Sequence, residues 1–217
     1  MLAAPVNECA QPGELPEDYV RRLAKSKAYG IVTLLEQSVL ADCIIIAADT
    51  AVIDTNGNAS GEIANDSPGQ HEILGKPSNA TEAERMLRQL RGRVHKVLTG
   101  LVVLRPKDGF SMTEINVTDV PMRSYSDEEI KKYVSSGDPL DKAGAYAIQH
   151  VGFRPVEKVS GCYANVMGLP LCQLTRMLSH FDIFPRMDIA RSCQEALSIT
   201  CPVVNYTFDE RDRRIDG

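Results

Sequence analysis

The stretch Cys43-Ile44-Ile45-Ile46-Ala47-Ala48-Asp49-Thr50 decides how this chain is read. A β-branched apolar run without polar alternation reads as a strand buried on both faces, of the kind found in the middle of an α/β sheet. It ends in a carboxylate and a hydroxyl. In open α/β sheets ligands collect beyond the carboxyl ends of the strands, so an acid there is held by rigid structure and is still within reach of substrate. Asp49 is therefore the first catalytic candidate. From the strand alone, a cap on a following turn is an equally ordinary role for it.

A chain of 217 residues suits one α/β domain or two small lobes, and 43% hydrophobic with 24% charged residues is ordinary for a globular protein. The net charge of −5 argues against a duplex nucleic-acid partner, which calls for a basic face. It leaves room for an anionic small substrate, because the field inside a cleft is set mainly by nearby charges. The six cysteines form no Cys-x-x-Cys pair and have no metal-ligand spacing with the four histidines, which argues against zinc. They fit the free thiols of a reducing cytoplasm, and no apolar run reaches the roughly 18 residues of a membrane span.

Outward from the strand, residues 1–15 read as loop and contain Glu8. Residues 16–35 read as a helix with its stripe at Val20, Leu23, Ala24, Ala28 and Ile31. Lys27 falls inside that stripe and either snorkels to the rim or points its charge into a cleft. After the strand, Ala51 to Asp54 continues extended into a turn at Thr55-Asn56-Gly57-Asn58, followed by a polar loop or insertion over residues 58–72. Lys76 stands between Gly75 and Pro77, a stiff setting that suits a phosphate contact and is also compatible with plain solvation. Asn79 and Glu82 open a second helix, and residues 94–104 and 113–122 read as a strand pair. Ser126 and Glu129 form a capping box for a third helix. Residues 156–159 read as a short strand, 160–168 as a glycine-bounded loop, and Pro170 begins a last core helix. Residues 182–217, with the charged end Asp209-Glu210-Arg211-Asp212-Arg213-Arg214, read as a surface appendage without activity.

Several of these motifs together resemble the Maf-like nucleoside triphosphate pyrophosphatases, in the branch acting on dTTP and UTP. They are Tyr19-Val20-Arg21-Arg22-Leu23-Ala24 with Lys27-Ala28, Ala47-Ala48-Asp49-Thr50, Leu74-Gly75-Lys76-Pro77 and Thr99-Gly100. The most specific are Leu140-Asp141-Lys142-Ala143-Gly144-Ala145-Tyr146-Ala147-Ile148-Gln149 and Asn165-Val166-Met167-Gly168-Leu169-Pro170-Leu171. The resemblance implies an α/β fold with an elongated mixed sheet, flanking helices and two lobes around a cleft, occupying residues 1–181. It also implies hydrolysis of a nucleoside triphosphate to monophosphate and diphosphate with a divalent cation such as Mg2+ or Mn2+. By the same resemblance Asp49 is the proton acceptor, and the hard oxygens of Asp49 and Glu8 make them the metal-ligand candidates. Thr50 and Gln149 set specificity, and Lys27, Lys76 and Lys142 contact substrate. Asp138 and Asp141 are expected to hold the turn before Gly144. A cytoplasmic enzyme without membrane or nucleic-acid partners is expected, with a homodimer left open.

The family pattern begins with a strand-loop-helix unit carrying a Ser-x-Ser-x-Arg-Arg phosphate grip, whereas this sequence starts near Val6-Asn7-Glu8. The expectation is either an N-terminally incomplete version of a normal enzyme, about 30 residues short, or a fold that has lost a sheet strand and a phosphate clamp, with weak hydrolysis of dTTP or UTP by the chain as written. Two other readings stay open: a nucleotide-binding regulator of cell division without catalysis, and a house-cleaning enzyme for non-canonical purine triphosphates such as those of inosine or xanthosine.

Overall fold

The computed structural model describes residues 2–55, 71–159 and 161–203. The predicted turn after Thr55, nearly all of the polar insertion and the charged end of the tail lie outside them. Helix α1 (Pro16–Val32) opens with a proline where its missing N–H costs nothing, and a single turn, α2 (Gln37–Leu40), leads into β1 (Ile45–Asp54). Strand β2 (Glu72–Leu74) is followed by α3 (Ala80–Leu90), whose first turn is capped by Asn79 accepting from the Glu82 amide. Strands β3 (Val94–Arg105) and β4 (Phe110–Pro121) form a long hairpin. The Ser126–Glu129 capping box opens α4 (Asp127–Ser135). Helices α5 (Tyr163–Val166), α6 (Leu171–Ser179) and α7 (Ile189–Leu197) follow.

The strand order is β2-β1-β3-β4, and every pairing among the described residues is antiparallel. The α/β class with flanking helices is as expected. Two layers cover the sheet. On one face α1 lays Val20, Leu23 and Ala24 against Ala51, Leu98 and Val102. On the other, α6 buries Leu174 and Met177 against Leu101 and Val103, while α3 and α4 close over Val52 and Val97. Because side chains alternate along a strand, odd-numbered residues of β1 face α1 and even-numbered ones face the opposite layer.

Four local expectations are corrected. Asp49 is not at a strand tip: β1 runs on to Asp54, so the acid sits mid-strand, paired in register with Gly100. Ile46 is 45% exposed, so β1 is not buried on both faces along its whole length. Residues 156–159 shrink to one bridge, Met122 with Val156, and the 160–168 loop contains the turn of helix α5. Among the described residues β2 pairs only with Val52, Ile53 and Asp54, which leaves the outer edge of β1 beside Asp49 and Thr50 without a strand partner.

Candidate active site

A cavity of about 340 Å³ lies against that open stretch of β1, within the size range that holds a small-molecule ligand. Glu8, Lys27, Asp49, Thr50, Lys76, Lys142 and Gln149 all line it. Their convergence follows from strand geometry. Asp49 and Thr50 are neighbours in β1, so one projects to the α1 layer and the other to the opposite layer, and the cavity at the strand's edge is reached from both.

On the α1 side Lys27 Nζ donates to Asp49 Oδ1 and lies 3.0 Å from Glu8 Oε1. Lys27 thus does not snorkel to the rim; the apolar stripe that seats α1 aims its ammonium into the cleft. Burial drives the Asp49 carboxyl above the usual carboxylate range, with Lys27 pulling back only in part. The hydrogen bond from Lys27 holds Glu8 below that range. Burial works to lower Lys27, but its bonds to the two acids outweigh this and keep it firmly protonated.

Glu8 belongs to an irregular segment that needs tethering. Tyr19 Oη donates to the Glu8 carbonyl at 2.8 Å, and Arg22 donates to the Cys9 carbonyl at 3.1 Å and to both Glu14 carboxylate oxygens. Tyr19 itself lines the cavity, a role its place in the helix did not signal.

On the opposite side, Lys76 and Lys142 arrive on two loops tied together by the Gly144 amide donating to the Gly75 carbonyl at 3.1 Å. Gly144 has φ +67, and a Cβ there would fall 2.8 Å from Val52 Cγ1, so the loop approaches β1 as closely as only glycine allows. Lys142 is held by the Asp138 carbonyl at 2.8 Å, by the Asp138 carboxylate at 3.2 Å and by the Asp141 carboxylate at 2.6 Å. Among the described residues Lys76 makes no ion pair, so its charge is available to an anion. Gln149 follows the same turn, and Met167 and Gly168 close the cavity from beyond α5. Glycine at 168, and the buried residues Thr99 and Asn165 behind Thr50, carried no functional signal in the sequence beyond their motifs.

The donor set bears on a metal. Glu8 and Asp49 both reach the same nitrogen, and their hard carboxylate oxygens are the ones that would hold a divalent cation here. Among the described residues no group of three or more His, Cys, Asp or Glu side chains could hold a metal alone.

Residues 1–181 match the family model described as Maf-like protein, and the chain belongs to that family. Among its relatives, a dTTP/UTP pyrophosphatase of Alkaliphilus metalliredigens is 39% identical over 184 residues, covering 84% of this chain and 85% of the relative. One of Geobacter sp. (strain M21) is 39% identical over 178 residues, 82% of each chain. Another, of Hahella chejuensis, is 38% identical over 183 residues, covering 84% of this chain and 82% of its own. Among the described residues no helix is long and apolar enough to cross a membrane.

Proposed function

We propose that this protein hydrolyses dTTP and UTP to the monophosphate and diphosphate, the activity in its relatives' names. The observation that carries the reading is the division of one cavity by β1. Asp49, Glu8 and Lys27 stand on one side of the strand edge and Thr50 with Gln149 on the other, and of the two lysines that arrive opposite α1, Lys76 carries its charge across to Asp49 and Glu8. A triphosphate has the same division, an anionic chain at one end and a neutral base at the other.

Asp49 accepts a proton from a water that attacks the α-phosphorus. The bond from that phosphorus to its bridging oxygen breaks, and the diphosphate leaves with the electron pair. Burial raises the carboxyl's basicity, which suits a proton acceptor working near neutral pH. Lys27 holds Asp49 in place and, with Lys76, offsets charge on the phosphate oxygens. Gln149, with an amide that both donates and accepts, reads the pyrimidine edge. A divalent cation held by Asp49 and Glu8 would neutralise phosphate charge when bound. A reducing cytoplasm is the compartment this reading favours, since the six cysteines are all free of disulfides.

The test is diphosphate release from a panel of nucleoside triphosphates, with Asp49→Asn as control. Release from dTTP and UTP, lowered by about 10²–10⁴-fold in the variant, is expected. Tight binding without release would favour the regulator, and preference for inosine triphosphate the house-cleaning role; either outcome displaces the proposal.

A further inference from the structure

Thr50 is hydrogen-bonded across the β1–β3 pair to Thr99, Oγ1 to Oγ1 at 2.9 Å. That distance leaves the direction of the bond open, and the next link fixes it. Thr99 Oγ1 lies 3.0 Å from the main-chain carbonyl oxygen of Asn165, which can only accept. A threonine hydroxyl carries one proton, and Thr99 gives it to that carbonyl. Thr99 therefore meets Thr50 with a lone pair, and Thr50 donates its own proton to Thr99. Only lone pairs of Thr50 remain for the cavity. The arrangement is rigid: Thr99 and Asn165 are both 0% exposed. The Asn165 amide nitrogen is anchored to the Val97 carbonyl at 3.1 Å and to Thr118 Oγ1 at 2.9 Å. Because Thr99 and Asn165 are enclosed and their bonds are fixed, the polarity of the chain is set by the protein.

We propose that Thr99, through this chain of protons, makes Thr50 an obligate acceptor and so makes the cavity select a base that presents a ring N–H. The inference rests on the pyrimidine reading and narrows it. Uracil and thymine carry hydrogen on N3 between two carbonyl oxygens, whereas cytosine has a lone pair on N3 and an amino group beside it. A hydroxyl restricted to accepting, together with an amide able to donate to a carbonyl, matches the first pattern. Against cytosine, lone pair faces lone pair. Access to Thr50 is kept by Gly168, where a Cβ would fall 3.3 Å from its hydroxyl oxygen. Thr99 itself is a positioning residue, acting on the base only through Thr50.

Calorimetric binding of α,β-methylene UTP and α,β-methylene CTP, whose α–β bridge resists cleavage, tests this, with diphosphate release from UTP and CTP run alongside. The unaltered chain is expected to bind the uridine analogue at least about tenfold more tightly, as buried lone pairs left without a donor require. Thr99→Val keeps the side-chain shape and frees the Thr50 proton to turn toward the cavity; it is expected to bring the two affinities toward parity, and Thr99→Ser to restore the gap. A purely structural role would weaken both analogues alike and leave their ratio unchanged. That result overturns the proposal, as does an unaltered chain without preference. If Thr99→Val does not fold, Thr50→Val removes the acceptor itself and has to abolish the preference in the same assay. Loss of diphosphate release with the analogue ratio intact would sink the hydrolytic reading and leave this inference standing.

Discussion

Replacing Gly100 by alanine tests whether the packing of α1 on the sheet is what sets the catalytic distance. Gly100 pairs in register with Asp49, and a Cβ there would lie 2.7 Å from the Val20 carbonyl oxygen and 2.9 Å from its carbon. The obstacle is main chain, so no rotamer change relieves it. Ordinary contact begins at 3.4 Å, so the helix has to withdraw by about 0.7 Å or the strand has to bend by as much, an overpacking that costs about 1–3 kcal/mol. For a chain of this size that lowers the melting temperature by roughly 2–12 °C. The same helix carries Lys27, whose ammonium is bonded to Asp49, and Tyr19, which tethers Glu8. A shift of that size is expected to lower kcat on the order of tenfold, since a misplacement of about 1 Å costs about 10²-fold. Thermal unfolding and steady-state diphosphate release measure the two effects. An unchanged melting temperature would show that the helix does not bear on this glycine. A lowered one with wild-type kcat would show that its seating is not what places Lys27 on Asp49.

The pH profile follows from the raised Asp49 and lowered Glu8 carboxyls. In the metal-free chain Asp49 takes up its proton first as pH falls, so NMR titration of its side chain is expected to show a midpoint above the usual carboxylate range and that of Glu8 one below it; coincident midpoints would contradict the split between the acids. Chelation with EDTA is expected to stop hydrolysis and Mg2+ or Mn2+ to restore it, with Glu8→Gln raising the half-saturating metal concentration at least about tenfold, read by metal titration. His95 is fully enclosed, and burial together with Arg93 pushes its pKa from 6.5 down to about 3. The unfolded chain binds that proton where the folded one does not, so stability present above pH 6.5 is lost as pH falls toward 3, at about 1.4 kcal/mol per pH unit. Urea unfolding at stepped pH is expected to show a flatter slope for His95→Gln, and an unchanged slope would assign the acid lability to other groups.

The helix caps were legible because they are local: Asn79 with Glu82 and Ser126 with Glu129 satisfy orphan amides within one turn, whatever the rest of the chain does. The β3–β4 hairpin was legible for the same reason, two β-rich runs about a short turn. The place of Asp49 within β1 was not. Residues 51–54 read as extended, yet Asp49 interrupts the apolar pattern and so reads as a strand tip; mid-strand, its carboxylate is accommodated because it faces Lys27 across the α1 layer. Lys27 shows the converse. A lysine in an apolar stripe has two meanings, and only the opposed acids choose between them. Helix α5 was hidden because its four residues offer no periodicity, and Asn165 is fixed by bonds to β3 and β4, nearly 50 or more positions back along the chain.

Placing the acid mid-strand changes what holds the site. At a strand's end a carboxylate depends on the loop that follows, whereas here Asp49 is paired on one side with β3 along nine consecutive residues, Ile45 to Ile53. Its freedom lies only toward the unpaired edge. That edge is also the one place where side chains from both faces of a sheet converge on the same space without crossing the backbone. A ligand with one charged and one neutral end can then meet Lys27 and the acid pair from one layer and Thr50 with Gln149 from the other, with Lys76 reaching its charged end from the second layer. The separation has a mechanical consequence: changes under α1 act on the phosphate side, and changes behind Thr50 act on the base side. Gly100→Ala should therefore lower turnover of UTP and CTP by the same factor, and Thr99→Val should alter their ratio, so the double variant is expected to combine the two effects independently.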